Sequence, residues 1–204
     1  MFIRTESFRD FLKFYPVVAS ILALTIFLFL VYQLASLFHI TPLIALFNDG
    51  VGYNLGIAQG QLWRLVTPLF LHFTFSHILF NAFSIFLFAP ALERILGKTK
   101  FIIAFLGSGI ISNLLCYFFG DLALAYIGAS SAIFGLFGIY LFIIVFRREL
   151  IDRVNTQIIG IILLLSVVMT FLTPSTDILG HLFGLLGGFI LGPILLFQTT
   201  KRRF

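Results

Sequence analysis

Long apolar segments separated by short polar breaks recur along almost the whole chain. Six of these segments are close to the ~20 residues that an α-helix needs to cross a hydrocarbon core of about 30 Å. They cover residues 16–38, 73–92, 100–119, 128–146, 155–173 and 177–198. Charged or turn-forming residues occupy the breaks between them. The pattern predicts an all-α polytopic membrane protein with six transmembrane helices, built as a single membrane domain over residues 1–204.

The segment between the first two predicted helices does not fit a straight span. Residues 40–72 are half apolar and are interrupted by Pro42 and by four glycines, Gly50, Gly52, Gly56 and Gly60. Backbone this irregular is tolerated at membrane depth only where protein or water satisfies its polar groups. We therefore expect a long first outer loop that lies partly in the membrane interface, with Trp63 and Arg64 as interfacial anchors.

The composition excludes an ordinary water-soluble domain. Hydrophobic residues make up 60% of the 204-residue chain, charged residues make up 10%, and the mean hydropathy is +1.12. The N-terminal residues mix both charge signs and lack a small-residue cleavage site, so we do not expect a cleavable signal peptide. Cys116 is the single cysteine, which excludes an internal disulfide framework and a thiol-rich metal site.

The basic residues predict an orientation. In the six-helix topology, 12 of the 13 Lys and Arg residues fall on one side of the membrane, and only Arg64 falls on the other. The twelve are Arg4, Arg9, Lys13, Arg94, Lys98, Lys100, Arg147, Arg148, Arg153, Lys201, Arg202 and Arg203. By the positive-inside rule both termini are cytoplasmic. The basic loops are then contacts for anionic lipids, and no nucleic-acid partner is expected.

Three predicted helices carry a polar residue near the same membrane boundary. His77, Ser130 and His181 each lie within the first few residues of a helix that enters from the outer side. At about 1.5 Å per residue, all three fall within roughly 10 Å of that boundary. Polar and ionisable side chains inside membrane segments usually mark function. The three helices are therefore expected to bring these residues to one site.

Ser130 is a candidate nucleophile. It follows Gly128 and lies in the first turn of its helix, where free N–H groups and the positive end of the helix dipole favour a developing oxyanion. Two alternatives stay open from the residues alone. Ser130 can instead be a helix N-cap, and Ser131 can instead be the nucleophile.

His181 is the candidate base for Ser130. Gly180, Gly184 and Gly188 form the small-xxx-small pattern that lets two membrane helices touch, and close packing on the fourth helix would carry the imidazole toward Ser130. The alternative is a histidine that is hydrogen-bonded only for packing. Asp177 lies four residues earlier and is expected to cap the helix, although it can also orient the ring.

His77 and Asn81 lie one turn apart on the second predicted helix, with His72 just upstream. Their N–H groups can stabilise a carbonyl oxygen that becomes negative. His72, His77 and His181 also allow a metal site, but the spacing of the first two is unusual for a helical zinc site and no carboxylate accompanies them.

Together these motifs resemble the rhomboid family of intramembrane serine proteases over about residues 60–190. The matching elements are Trp63-Arg64, His72-His77-Asn81, Gly128-Ala129-Ser130 and His181 followed by Gly184 and Gly188. The resemblance implies a Ser130–His181 dyad without an acidic third member, and an oxyanion hole from His77, Asn81 and the Ser130 backbone. It also implies that Phe134 packs near the His181 ring. Ser131 departs from the glycine that is common after the family's serine.

The resemblance further implies an endopeptidase that hydrolyses peptide bonds in or near transmembrane segments of other membrane proteins, without a cofactor or metal. We expect it in a bacterial plasma membrane, among lipids, with a site that opens to the outer face. An inactive relative that binds transmembrane helices and a small transporter are the rival interpretations. The presence of both Ser130 and His181 disfavours the first, and the lack of an internal repeat disfavours the second.

Overall fold

A computed structural model describes residues 6–173, 177–197 and 199 of the chain. The α-helices are α1 Phe8–Phe14, α2 Pro16–Leu37, α3 Thr41–Asp49, α4 Asn54–Ala58, α5 Phe75–Leu96, α6 Lys98–Phe119, α7 Ser130–Phe146, α8 Arg153–Leu172 and α9 Ile178–Leu196. Short 3-10 helices cover Leu62–Leu65, Thr67–Phe70 and Arg148–Leu150. Two short strands, β1 Gly52–Tyr53 and β2 Ala125–Tyr126, pair antiparallel, with Gly52 opposite Tyr126.

The six predicted transmembrane helices are confirmed as α2, α5, α6, α7, α8 and α9, with ends displaced by a few residues. Five of them have 19 to 22 residues and are apolar enough to cross a membrane, whereas α7 is shorter. Residues 40–72 form α3, α4, β1 and two 3-10 turns instead of a straight span. The chain is thus an all-α integral membrane protein with an irregular first loop.

Helix α7 lies at the centre of the bundle. It is apolar around its whole circumference, as expected for a helix surrounded by others, and Ile139, Tyr140 and Ile143 are fully buried. The Tyr140 hydroxyl donates to the Phe88 carbonyl of α5 at 2.7 Å, so its one polar atom is satisfied. By contrast, α2 and α8 expose large apolar side chains such as Phe27 and Leu164, as lipid-facing helices do.

Backbone contact joins α7 to α9. A Cβ added to Gly188 would overlap the backbone of Gly135, and one added to Gly184 would overlap the backbone of Ser131. These two glycines therefore face the fourth transmembrane helix, as the small-xxx-small pattern predicted. Gly180, the third glycine of the pattern, has a different nearest neighbour. A Cβ added there would overlap the carboxylate of Asp177, and the Gly180 carbonyl accepts from Ser112 Oγ of α6 at 2.7 Å.

The end of the bundle opposite the first loop collects helix termini and basic residues. Glu93 of α5 accepts hydrogen bonds from the first backbone N–H groups of α2, at Val17 (3.1 Å) and Val18 (2.9 Å). Arg147 donates to the Leu196 carbonyl at 2.8 Å and Lys100 to the Phe197 carbonyl at 3.2 Å. These bonds satisfy groups that helix ends leave open. The basic residues predicted at positions 4 and 201–203 lie outside the described residues.

Arg64 is buried within the first loop and bonds the backbone of that loop. Only 7% of its surface is exposed, and its guanidinium donates to the carbonyls of Val51 (2.7 Å) and Asn48 (3.3 Å). The expectation that Arg64 is an interfacial anchor was therefore wrong, because loop carbonyls surround its charge. Trp63 is half exposed and donates to the Asp49 carbonyl at 3.0 Å, which suits an anchor.

The α7–α9 contact predicts the effect of one added methyl group. Gly188→Ala should lower the free energy of unfolding by about 1–3 kcal/mol, because the Gly135 backbone cannot rotate away from the new Cβ. Unfolding in detergent micelles measures this change. The matched control is Gly160→Ala in α8, where the added Cβ meets nothing within 4 Å and alanine is the better helix former. Equal stability of the two variants would contradict the packing argument.

Candidate active site

A cavity of about 720 Å³ opens at the end of the bundle where α5, α7 and α9 begin. Each of the three helices contributes polar residues to its wall: His77 and Asn81 from α5, Ser130 from α7 and His181 from α9. The cavity also exposes Ser166 of α8. The polar residues that the sequence placed at one depth thus line one space.

Ser130 is the first residue of α7, and Ala129 occupies the N-cap position without a side-chain capping bond. Ser130 therefore does not serve as the N-cap that its sequence position allowed. Its neighbour Ser131 is buried, packs its backbone against Gly184, and is not part of the cavity wall. Of the two serines, the geometry offers Ser130 to a ligand.

His181 stacks on Phe134, with ring centroids 4.1 Å apart and planes 12° from parallel. Phe134 follows Ser130 by one turn of α7, so the two side chains are neighbours on one helix face. The imidazole thus lies about one turn from Ser130. No hydrogen bond joins Ser130 Oγ to His181 within the described residues. In serine hydrolases generally, the hydrogen bond between nucleophile and base is often long without substrate and tightens only in the complex.

The Nδ1 atom of His181 has a partner that the sequence did not suggest. It lies 2.9 Å from Oγ1 of Thr170, a buried residue of α8. Asp177 is the N-cap of α9 and accepts from the Gly180 N–H at 2.8 Å, as the capping interpretation predicted. A threonine hydroxyl in an apolar helix commonly bonds a carbonyl of its own helix. The presence of Thr170 in the sequence therefore gave little indication that it contacts His181.

His72 and His77 hold the backbone that precedes Ser130. Gly128 has φ 108°, a region that favours glycine, and a Cβ added there would lie 2.5 Å from the His77 ring. His72 Nε2 accepts from the Ala129 N–H at 3.4 Å. Burial, assisted by the nearby His77, lowers the pKa of His72 to about 3, so this ring is neutral and can accept.

Asn81 has one amide hydrogen in use. Its Nδ2 donates to the His77 carbonyl at 3.0 Å, which leaves the second amide hydrogen for a ligand in the cavity.

The metal interpretation finds no support here. Across the described ranges, no three His, Cys, Asp or Glu side chains are grouped closely enough to hold an ion.

The family model described as Rhomboid domain matches residues 59–198. The chain belongs to the rhomboid family. It is 49% identical to the Bacillus subtilis (strain 168) protein named "Putative rhomboid protease YdcA", over all of both chains. It is 36% identical to Rhomboid protease GluP of the same organism, over 69% of this chain and 27% of GluP. It is 38% identical to Rhomboid-like protease 1 of Toxoplasma gondii, over 72% of this chain and 52% of that protein.

The Gly128–His77 contact of this rhomboid predicts a loss of stability that is specific to substitution at position 128. Gly128→Ala should destabilise the protein by about 1–3 kcal/mol beyond the strain of its backbone angle, because the new Cβ displaces the His77 ring. Thermal unfolding in detergent gives the comparison. Gly60→Ala is the matched control, since Gly60 also has a positive φ (90°) but nothing lies within 4 Å of its added Cβ. An equal loss of stability in both variants would show that the His77 ring moves aside at no energetic cost.

Proposed function

We propose that this rhomboid is a serine endopeptidase that hydrolyses peptide bonds in or near the transmembrane segments of other membrane proteins. Ser130 is the nucleophile and His181 the general base. The observation that carries the proposal is the shared cavity, in which the His181 ring stacks on Phe134 one turn from Ser130. The similarity to proteins named as rhomboid proteases supports the reaction class.

The reaction has two halves. Ser130 Oγ attacks the scissile carbonyl carbon while its proton passes to Nε2 of His181. The tetrahedral intermediate collapses to an ester on Ser130, and His181 returns the proton to the leaving amine. A water molecule then attacks the ester, again giving its proton to His181. The second collapse releases the carboxylic acid and restores the Ser130 hydroxyl.

The negative oxygen of each intermediate is held by groups on two helices. The backbone N–H of Ser130 lies in the first turn of α7, where N–H groups have no intrahelical acceptor. His77 and Asn81 face the same cavity from α5, and each can offer an N–H. The contact of His77 with Gly128 supports this assignment, because it brings the ring to the backbone that leads into Ser130.

The cavity also suggests the form of the substrate. A cavity of this size, with polar side chains in its wall, has room for water and a few residues of an extended peptide. A transmembrane helix shields its own carbonyls by hydrogen bonding, so the segment to be cut must unwind first. Small or helix-breaking residues near the cleavage point should therefore favour hydrolysis.

The charge distribution supports an orientation in which the cavity opens to the outer face. The basic residues at the other end of the bundle include Arg94, Lys98, Lys100, Arg147 and Arg148, whereas Arg64 lies in the first loop, whose strand β1 pairs with Tyr126 of the cavity wall. The positive-inside rule then puts both termini in the cytoplasm of a bacterial cell, with anionic lipids against the basic end.

Replacing the nucleophile tests the proposal directly. Ser130→Ala should abolish cleavage of a transmembrane reporter in reconstituted vesicles and abolish labelling by a fluorophosphonate probe, because no hydroxyl remains to attack. Ser131→Ala is the matched control and should retain both activities, since Ser131 is buried against Gly184. Retained labelling in Ser130→Ala would reject the assigned nucleophile. Wild-type protein that neither cleaves nor reacts would favour the inactive, helix-binding alternative.

Removing an oxyanion donor should slow the chemical step. His77→Ala is expected to lower kcat by about 10²–10³-fold with folding retained, because the developing charge loses one N–H. Reporter cleavage measures the rate. The control is His39→Asn, since His39 is exposed, does not line the cavity, and has a φ of 52° that asparagine tolerates. Unchanged kcat in His77→Ala would remove His77 from the oxyanion site.

A further inference from the structure

We infer that Thr170 is the positioning residue that fixes the tautomer of the His181 ring. This inference rests on the proposed function, in which His181 must present an unprotonated nitrogen to Ser130. In the described part of the chain, Thr170 Oγ1 is the group placed within hydrogen-bond distance of a His181 ring nitrogen, at 2.9 Å from Nδ1.

The direction of that hydrogen bond follows from a second contact of the same hydroxyl. Thr170 Oγ1 also lies 2.9 Å from the carbonyl oxygen of Ser166, one turn earlier in α8. A carbonyl oxygen can only accept, and a threonine hydroxyl has a single hydrogen. The hydroxyl therefore donates to Ser166 and accepts from His181. Nδ1 of His181 carries the hydrogen.

The consequence for His181 lies at its other nitrogen. In a neutral imidazole with hydrogen on Nδ1, Nε2 holds the free lone pair and is the basic atom. A general base for Ser130 needs that tautomer. When Nε2 takes the serine proton, the Nδ1–H of the resulting imidazolium still donates to Thr170, so one contact serves both protonation states.

The ring is thus held in two ways. Phe134 of α7 stacks against its face at 4.1 Å, which limits the tilt of the ring plane. Thr170 of α8 fixes its edge, which limits rotation within that plane. Thr170 is 2% exposed, so water does not compete freely for the bond. A neutral hydroxyl also costs less to bury at this depth than a carboxylate would.

The test compares two substitutions that differ by one hydroxyl. Thr170→Val keeps the shape of the side chain and removes the acceptor, and should lower kcat by about 10–100-fold with KM unchanged, as expected for a lost bond to a charged donor. Thr170→Ser keeps the hydroxyl and should restore most of the activity. The matched control is Thr156→Val, since Thr156 lies in the same helix and donates to the carbonyl four residues earlier, Asp152, but has no histidine partner.

A spectroscopic readout separates this role from mere packing. With ¹⁵N-labelled histidine, the His181 signals are identified by their loss in His181→Gln among the four histidines of the chain. The neutral wild-type ring should show a protonated Nδ1 and an unprotonated Nε2, and Thr170→Val should lose this preference. A wild-type ring protonated at Nε2, or an unchanged kcat in Thr170→Val, would overturn the inference.

The same readout distinguishes the failure of this inference from the failure of the proposed function. The tautomer is measured without turnover, so it reports on Thr170 even if the protein cleaves no reporter and Ser130 does not react with the probe. If Thr170→Val does not fold, the wild-type tautomer alone decides the outcome.

Discussion

Direct backbone contact between α7 and α9 is the constraint on which the site depends. Lipid supplies no hydrophobic force between two apolar helices, so they associate through close packing. Gly184 and Gly188 allow that packing because a side chain at either position would overlap α7. The same approach carries His181 to Phe134 and so to the neighbourhood of Ser130. A wider helix pair would leave the imidazole without its stacking partner.

The remaining helices complete the site with polar contacts. α5 brings His77 against Gly128, and His72 accepts from the Ala129 N–H, so the turn before Ser130 is held by two imidazoles. Gly128 itself is held by the Pro68 carbonyl, which accepts its N–H at 2.9 Å. These contacts matter because an unsatisfied polar group in an apolar interior is costly. The loop and the helix start therefore stabilise each other.

The six helices were predictable because an apolar run of about 20 residues has few other uses in a chain this hydrophobic. The presence of His77, Ser130 and His181 in one cavity wall was predictable for a related reason, since the predicted topology put them at a similar depth. The burial of Arg64 was not predictable, because its hydrogen-bond acceptors are carbonyls of an irregular loop, whose positions do not follow from a sequence pattern. Thr170 was missed because a helical threonine normally satisfies itself. Sequence patterns predict depth and helix faces well, and irregular backbone poorly.

In the function that we propose, the polar contacts around His181 also explain why a carboxylate is not needed beside it. Asp177 is the acidic residue nearest along the chain, and one of its oxygens is committed to the N–H of Gly180 at the start of α9. Moving that carboxylate to the ring would leave the helix end uncapped and would bury a charge deeper in an apolar bundle. A threonine avoids both costs, because its hydroxyl bonds its own helix and lies 2.9 Å from Nδ1, from which, in our inference, it accepts a hydrogen bond. On this inference, a neutral acceptor in an apolar setting orients the proposed base, a role for which a soluble enzyme would use a carboxylate.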